Sequence, residues 1–342
     1  MPPIVAVMSS KMRAMRIPFI GWKQCFSPYG TAPEQALRGG SAFPQGAGPS
    51  RHYRGAVTEP TVGDAVRQAR TRLSAAGIEG PDAELLAAWA AGSGLGEIRV
   101  DMAMGRSFAA DALARFAHAV ARREAREPLQ RITGLAPFRH VDLRVGPGVF
   151  TPRPETELLV DVVLEHVRGT ASPLVLDVGT GTGAVAIALA REAGARVVAV
   201  EQSPAAYVWA RRNIAELAPG TVLLHADARD VAALAAVGVQ PGSLDALVSN
   251  PPYVPAASVP ADHEVRAFDP HGALYSGADG LDLIRDLAPL AADLVAPGGL
   301  VAVEHAEHQS AAVRGMLEDA GFTDARTRVD LTGRDRVTSA VR

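Results

Sequence analysis

Leu174-Val175-Leu176-Asp177-Val178-Gly179-Thr180-Gly181-Thr182-Gly183 is an apolar run that ends in an acid and passes into alternating glycines. A helical pattern over residues 184–192 follows at once. Strand, glycine turn and helix N-terminus make a nucleotide-type binding unit, because glycines allow a tight turn and close backbone approach to a ligand. Gly179, Gly181 and Ala184 also satisfy G-x-G-x-x-A, so this stretch alone leaves a dinucleotide fold open. Its surroundings favour S-adenosylmethionine. Asp177 stands just before the first glycine, where a carboxylate meets a cationic ligand. Glu201 ends the next strand, residues 196–200, and can accept from both ribose hydroxyls.

Further along comes Leu247-Val248-Ser249-Asn250-Pro251-Pro252-Tyr253-Val254-Pro255. Neither Pro251 nor Pro252 has an N–H, so the strand ends at Asn250 and a stiff loop follows. The Asn250 side chain and the carbonyls of Asn250 and Pro251 form a rigid set of acceptors beside the Tyr253 ring. That arrangement suits a planar group bearing an NH2. The bland alternative is a plain turn after a strand; the glycine loop, Glu201 and this loop in that order favour the site.

These motifs, with others, resemble the protein-(glutamine-N5) methyltransferases that act on peptide-chain release factors (the PrmC/HemK family). The resemblance runs from about Val62 to Val341. It is carried by Pro81-Asp82-Ala83-Glu84-Leu85-Leu86, Arg122 to Gln130, Thr151-Pro152-Arg153-Pro154-Glu155-Thr156-Glu157, the glycine loop, Asn250 to Tyr253, Ser276 to Asp282 and Asp330 to Arg336. It implies an α/β fold: a seven-stranded, Rossmann-like class I methyltransferase sheet with a small N-terminal helical bundle and a linking β-hairpin. It also implies methyl transfer from S-adenosylmethionine to the glutamine of the factor's Gly-Gly-Gln motif. Arg153 and Glu155 are implied to border the acceptor pocket.

Expected donor-binding residues are Asp177, Gly179, Thr180, Gly181, Thr182, Gly183, Glu201, Asp227 and Asn250. Asp177, Glu201, Asp227 and Asn250 all close strands, where open sheets bind ligands. Expected acceptor residues are Asn250, Pro251, Pro252 and Tyr253 with Arg153 and Glu155; the catalytic set is Asn250, Pro251 and Tyr253. A neutral amide nitrogen is a poor nucleophile. These acceptors hold it toward the methyl group and stabilise the charge that builds on it, by fixed dipoles and without a base.

A length of 342 residues allows two domains and a large core. A net charge of −3 argues against a protein built to hold a long nucleic acid. Lysine occurs only at Lys11 and Lys23; with the heavy use of Ala, Gly, Arg and Val this indicates a GC-rich bacterial gene. The single cysteine, Cys25, permits neither an internal disulfide nor a cysteine metal site, which fits a cytoplasmic protein. No apolar run has transmembrane length, and a monomer is expected. Residues 1–57 are rich in Pro, Gly and Ser and read as a disordered extension or a mis-assigned gene start, with Val57 as the alternative start.

Helical spacing begins at Thr61 and marks residues 58–128 as a helical domain, which the resemblance implies serves substrate recognition, with helices after Thr61, after Pro81 and over 109–126. Arg122, Arg123 and Arg126 are either a patch for a partner or RNA, or a solvated helix end favoured by the dipole. Residues 129–150 read as a β-hairpin linker, and 151–342 as the methyltransferase domain. There, strands are predicted at 174–178, 196–200, 221–225, 244–249, 299–304, 322–329 and 335–341. Helices are predicted at 183–193, 204–217, 229–237, 280–295 and 308–320. The last two strands have no room for a crossover and must pair antiparallel.

Glu304-His305-Ala306-Glu307-His308 tempts a metal reading, but no third ligand is marked, and no metal is expected. Asp262-His263-Glu264 reads as a solvated loop. The competing function is methylation of exocyclic amines of adenine (N6) or guanine (N2) in RNA or DNA. It demands base extrusion and basic surface, and nucleic acid is therefore not the expected substrate.

Overall fold

A computed structural model describes residues 60–342; the expectations for residues 1–57 lie outside the described residues. The described chain opens with α1 (Val62–Ala75), α2 (Asp82–Ala91), α3 (Leu95–Ala103), α4 (Ala110–Glu124) and α5 (Leu129–Thr133). Thr61 caps α1, its hydroxyl accepting from the Asp64 N–H at 3.1 Å. Gly92, at φ 65°, ends α2 in the left-handed conformation that glycine adopts freely. Val66, Leu73, Leu86, Ile98 and Phe116 form the core of this bundle. Helix α3 carries one buried residue, Ile98, and so has no apolar stripe to announce it.

Residues 129–133 correct the linker reading. Helix α4 stops at Glu124, with Arg126 at φ 67° just beyond it, and Pro128 instead stands at the N-cap of the short helix α5, where the first N–H groups are unpaired in any case. The hairpin itself is shorter: β1 (Leu135–Phe138) pairs antiparallel with β2 (Val141–Arg144). Arg139 in its turn has φ 49°. That conformation is held by contacts. The Arg139 N–H donates to Glu157 Oε1 at 2.8 Å, and its guanidinium bridges Asp161 and Glu192, each at 2.7 Å.

There follow α6 (Glu157–His166), β3 (Leu174–Val178), α7 (Ala184–Glu192), β4 (Arg196–Glu201), α8 (Pro204–Leu217), β5 (Val222–His225) and α9 (Val231–Ala236). The chain continues through β6 (Leu244–Ser249), α10 (His263–Phe268), α11 (Asp282–Leu294), β7 (Val295–Glu304), α12 (Ser310–Asp319), β8 (Thr323–Val329) and β9 (Asp335–Val341). The seven strands β3 to β9 run in the order β5-β4-β3-β6-β7-β9-β8. Only β9 opposes its neighbours, pairing antiparallel with β7 and β8 as the missing crossover requires.

Period-two alternation sorts the side chains of the sheet. Val175, Val197, Ala246, Val248 and Ala302 pack on one face with α6 and α7. Leu176, Val198, Leu247, Val301 and Val303 pack on the other with α11 and α12. Truncating Leu176, which is fully buried, to alanine should cost about 2–5 kcal/mol. Strand order reverses between β3 and β6, so their carboxyl ends open a crevice there.

Candidate functional site

That crevice holds a cavity of about 780 Å³. Its first wall is the turn after β3. Gly179 has φ 71° and Gly181 φ 59°, backbone states open to glycine. A Cβ on Gly179 would meet nothing within 4 Å, so both the conformation and the free space suit a bound ligand. The N–H groups of Gly179 and Thr180 donate to Val200 O at 2.9 and 3.0 Å and stitch the turn to β4.

Two buried acids brace this turn. Asp177 Oδ2 accepts from the Thr180 hydroxyl at 2.6 Å and from the Ala186 N–H at 3.1 Å. Burial pushes its carboxyl up to about 6 despite those bonds, and the neighbouring Glu201 charge adds to the rise. Glu201 Oε2 accepts from the Gly181 N–H at 2.9 Å, and Oε1 from the Ser203 N–H at 2.8 Å. Each oxygen keeps a lone pair, so a cis-diol can still be bound.

The second wall is the turn after β6. Ser249 donates to Val178 O at 2.8 Å and ties β6 to β3 just before the turn. Asn250 Nδ2 donates to Thr156 Oγ1 at 3.0 Å, which leaves Asn250 Oδ1 as the free acceptor. Tyr253 O accepts from Gln309 Nε2 at 2.9 Å, and the same nitrogen donates to Asp279 O at 3.0 Å. Gly280 lies beneath, at φ 83°, with room for no side chain: a Cβ would stand 2.2 Å from Tyr253 O. The Tyr253 hydroxyl donates to Glu304 Oε1 at 3.3 Å. Burial raises this phenol well above its ordinary range, and the Glu304 charge adds to that.

The segment from Pro255 to Tyr275 closes the mouth and is held from outside. Val254 N–H donates to Leu274 O at 2.8 Å, and Ser276 N–H to Val254 O at 3.0 Å. Arg153 pairs with Asp269 at 2.8 Å, and Arg131 donates to Phe268 O at 2.8 Å. Arg123 bridges Asp82 of α2 at 2.7 Å and Glu264 of α10 at 2.8 Å; Arg126 also reaches Glu264. Arg122 pairs with Glu127 at 2.6 Å. These three arginines are therefore neither a free basic patch nor a solvated helix end. Arg123 and Arg126 join the helical bundle to the segment over the cavity, and Arg122 closes on Glu127 five residues along.

The crevice brings together Asp177, Gly179, Thr180, Gly181, Thr182, Glu201, Asn250, Pro251, Pro252, Tyr253, Arg153 and Glu155. Gly183 faces inward instead, where a Cβ would meet Ile214 and Ile187 at 3.2 and 3.3 Å. Asp227 is not on the lining. Arg229 grips both its oxygens, at 3.0 and 2.6 Å, and holds the carboxyl below its usual range.

Three contributors escaped the sequence reading. Glu304 ends β7 and lines the cavity at 2% exposure, and burial raises its carboxyl to about 7. It was legible by the same strand-end rule that singled out Asp177 and Glu201. Thr156 stood in the quoted Arg-Pro-Glu-Thr-Glu segment with no part in the expected site; it sits at the N-cap of α6, but its hydroxyl makes no cap bond. Gln309 carried no signal beyond its nearness to Glu304. His305 Nε2 is turned to the Thr338 hydroxyl at 2.7 Å, and burial lowers the imidazole. Among the described residues no group of His, Cys, Asp and Glu is placed to hold a metal ion. No helix there is long and apolar enough to cross a membrane.

Comparison with known proteins places these features in context. Residues 64–134 match the family described as PrmC N-terminal domain, and residues 175–263 match a methyltransferase domain. A release factor glutamine methyltransferase of Streptomyces coelicolor is 45% identical over 282 residues, covering 80% of this chain and 96% of that protein. One from Corynebacterium glutamicum is 43% identical over 285 residues, covering 82% and 98%. One from Bifidobacterium longum is 40% identical over 291 residues, covering 82% and 99%.

Proposed function

The chain belongs to the release factor glutamine methyltransferase family, and on that premise we propose that it methylates N5 of the glutamine in the Gly-Gly-Gln motif of a peptide-chain release factor. It is an S-adenosylmethionine-dependent methyltransferase. When bound, the donor supplies a methyl on sulfonium: the nitrogen–carbon bond forms, the carbon–sulfur bond breaks with its pair left on sulfur, and the nitrogen loses one proton to solvent.

The chain's own part is holding and polarising. Gly179 to Thr182 cradle the donor by backbone, Asp177 keeps that turn in shape, and Glu201 takes the ribose hydroxyls. Asn250 Oδ1 and the Pro251 carbonyl accept the two N–H bonds of the carboxamide. They pull electron density toward nitrogen and meet the positive charge that grows there. Tyr253 and Pro252 pack the amide plane. Glu155 borders the mouth, and Arg153, spent on Asp269, anchors the cover over it.

The observation that carries this reading is the occupied Nδ2 of Asn250, because it leaves an acceptor, and not a donor, for the substrate. Charge supports a peptide over a nucleic acid. The lining holds five acids and two arginines. Arg153 and Arg336 are paired with Asp269 and Asp330, at 2.8 and 3.3 Å. Phosphodiesters find no free cation there, while a sulfonium is welcome. The test offers labelled donor and enzyme to release factor, RNA and DNA side by side. Label should enter the factor; label in adenine or guanine instead overturns the reading.

A further inference from the structure

Glu304 has no part in the chemistry above, yet it lines the cavity and bonds the Tyr253 end of the Asn250–Tyr253 turn. Its Oε1 receives the Tyr253 hydroxyl at 3.3 Å. Its Oε2 is buried and has no well-formed hydrogen bond. Thr156 lines the same cavity, and its hydroxyl favours the charged form of this carboxyl, with no well-formed hydrogen bond joining the two. That hydroxyl is itself 4% exposed as a residue, and its oxygen already accepts from Asn250 Nδ2 at 3.0 Å. Its one proton is left for Glu304.

We infer that Glu304 is a positioning residue: the acceptor-only end of a hydrogen-bond chain, through Thr156, that turns Asn250 so that its carbonyl oxygen faces the acceptor amide. The reasoning is one of direction. An ionised carboxylate can only accept. Thr156 must then donate to it and offer lone pairs on its other side. Those lone pairs fix the NH2 of Asn250, and Oδ1 is forced into the pocket. Were the amide reversed, its NH2 would meet the NH2 of the substrate, donor against donor. Tyr253 is held by the same carboxylate, so one buried group orients both the polar and the aromatic contact. This role rests on the acceptor reading proposed above.

The groups that face Glu304 are the Arg336 guanidinium on β9, Glu155 before α6, and the hydroxyls of Thr156 and Tyr253. Burial outweighs the favourable ones and leaves the carboxyl near 7. Acid therefore removes the direction of the chain: a protonated carboxyl can donate, and Thr156 is free to turn.

The test is a set of three variants with kcat, donor affinity by calorimetry and melting temperature measured on each. Thr156→Val removes the link and should lower kcat on the order of tenfold to a hundredfold, with donor affinity held within about twofold. Thr156→Ser restores the hydroxyl and should restore kcat. Glu304→Gln can accept from only one of the two hydroxyls and should lower kcat similarly. It should also erase the acidic limb expected near pH 7 in the native profile. The double variant should be no worse than the weaker single, because the residues act as one unit.

The inference is overturned if Thr156→Val keeps kcat within about twofold of native, if Thr156→Ser is as impaired as Thr156→Val, or if Glu304→Gln retains the same acidic limb. Should Glu304→Gln not fold, the Thr156 pair alone decides. Native enzyme in the same assay separates the two readings. If it leaves the release factor unmodified, the substrate assignment falls, and the variant series is run on whichever acceptor it does methylate.

Discussion

Replacing Gly280 with alanine should damage turnover and leave donor binding intact. Gly280 is not in the reaction cavity; it supports the turn that is. Its φ is 83°, and an added Cβ would lie 2.2 Å from Tyr253 O and 2.8 Å from Gln309 Nε2. The first neighbour is backbone and cannot rotate away. Ordinary contact begins at 3.4 Å, so the Tyr253 peptide must retreat by about 1 Å. A displacement of that size at a reacting group costs on the order of a hundredfold in rate. The left-handed conformation adds about 1–2 kcal/mol of strain for alanine, which should lower the melting temperature by several degrees. The glycine turn after β3 is remote from this contact, so donor affinity should hold within about twofold. Steady-state methylation of release factor, calorimetric donor titration and a thermal melt measure the three quantities. A variant with native kcat would show that the loop absorbs the methyl without moving Tyr253, and the positional argument would fail.

Other expectations follow from the same geometry. Glu201→Ala removes an acceptor used by Gly181 and Ser203 and left open to a diol, and should weaken donor binding by about 2–3 kcal/mol in a calorimetric titration. Asp227→Ala should leave that affinity within a few-fold, because Arg229 already occupies the carboxylate; a loss as large as that of Glu201→Ala would bring Asp227 back into the site. The sign of the Asp177 effect follows from its raised carboxyl: the native state holds the proton more tightly than the unfolded chain, so this group favours folding most at low pH and costs stability as pH rises from 3.8 through about 6. Against Asp177→Asn, urea melts at pH 4 and pH 8 should show the gap moving toward the variant by on the order of 3 kcal/mol.

Much of this was legible in order and spacing. Asp177 and the glycines, Glu201 and Asn250 close strands that lie side by side, and a parallel sheet has to gather such ends on one edge. The antiparallel last pair, β8 and β9, followed from having only a short turn between them. What stayed hidden was set by contacts distant in sequence. Arg123 looks like any basic residue at a helix end until Glu264, far along the chain, arrives beside it. Thr156 has the side chain of a helix cap, and only the folded chain puts Asn250 against it. Asp227 obeyed the strand-end rule and yet lies off the cavity, because Arg229, two residues on, captures it first. Helices α3, α5 and α10 are short and carry few buried residues, so periodicity had little to register.

The most direct measurement is the site of the methyl group. Release factor incubated with enzyme and S-adenosylmethionine is digested and sequenced by tandem mass spectrometry, beside a factor whose Gly-Gly-Gln glutamine is replaced by asparagine. Asparagine carries the same carboxamide one methylene shorter, so its nitrogen falls short of the acceptors at Asn250 and Pro251 by about one carbon–carbon bond, where misplacement near 1 Å already costs on the order of a hundredfold. The account predicts one methyl on the side-chain nitrogen of that glutamine and none on the asparagine variant. A methyl on another residue, or equal methylation of both factors, would contradict it.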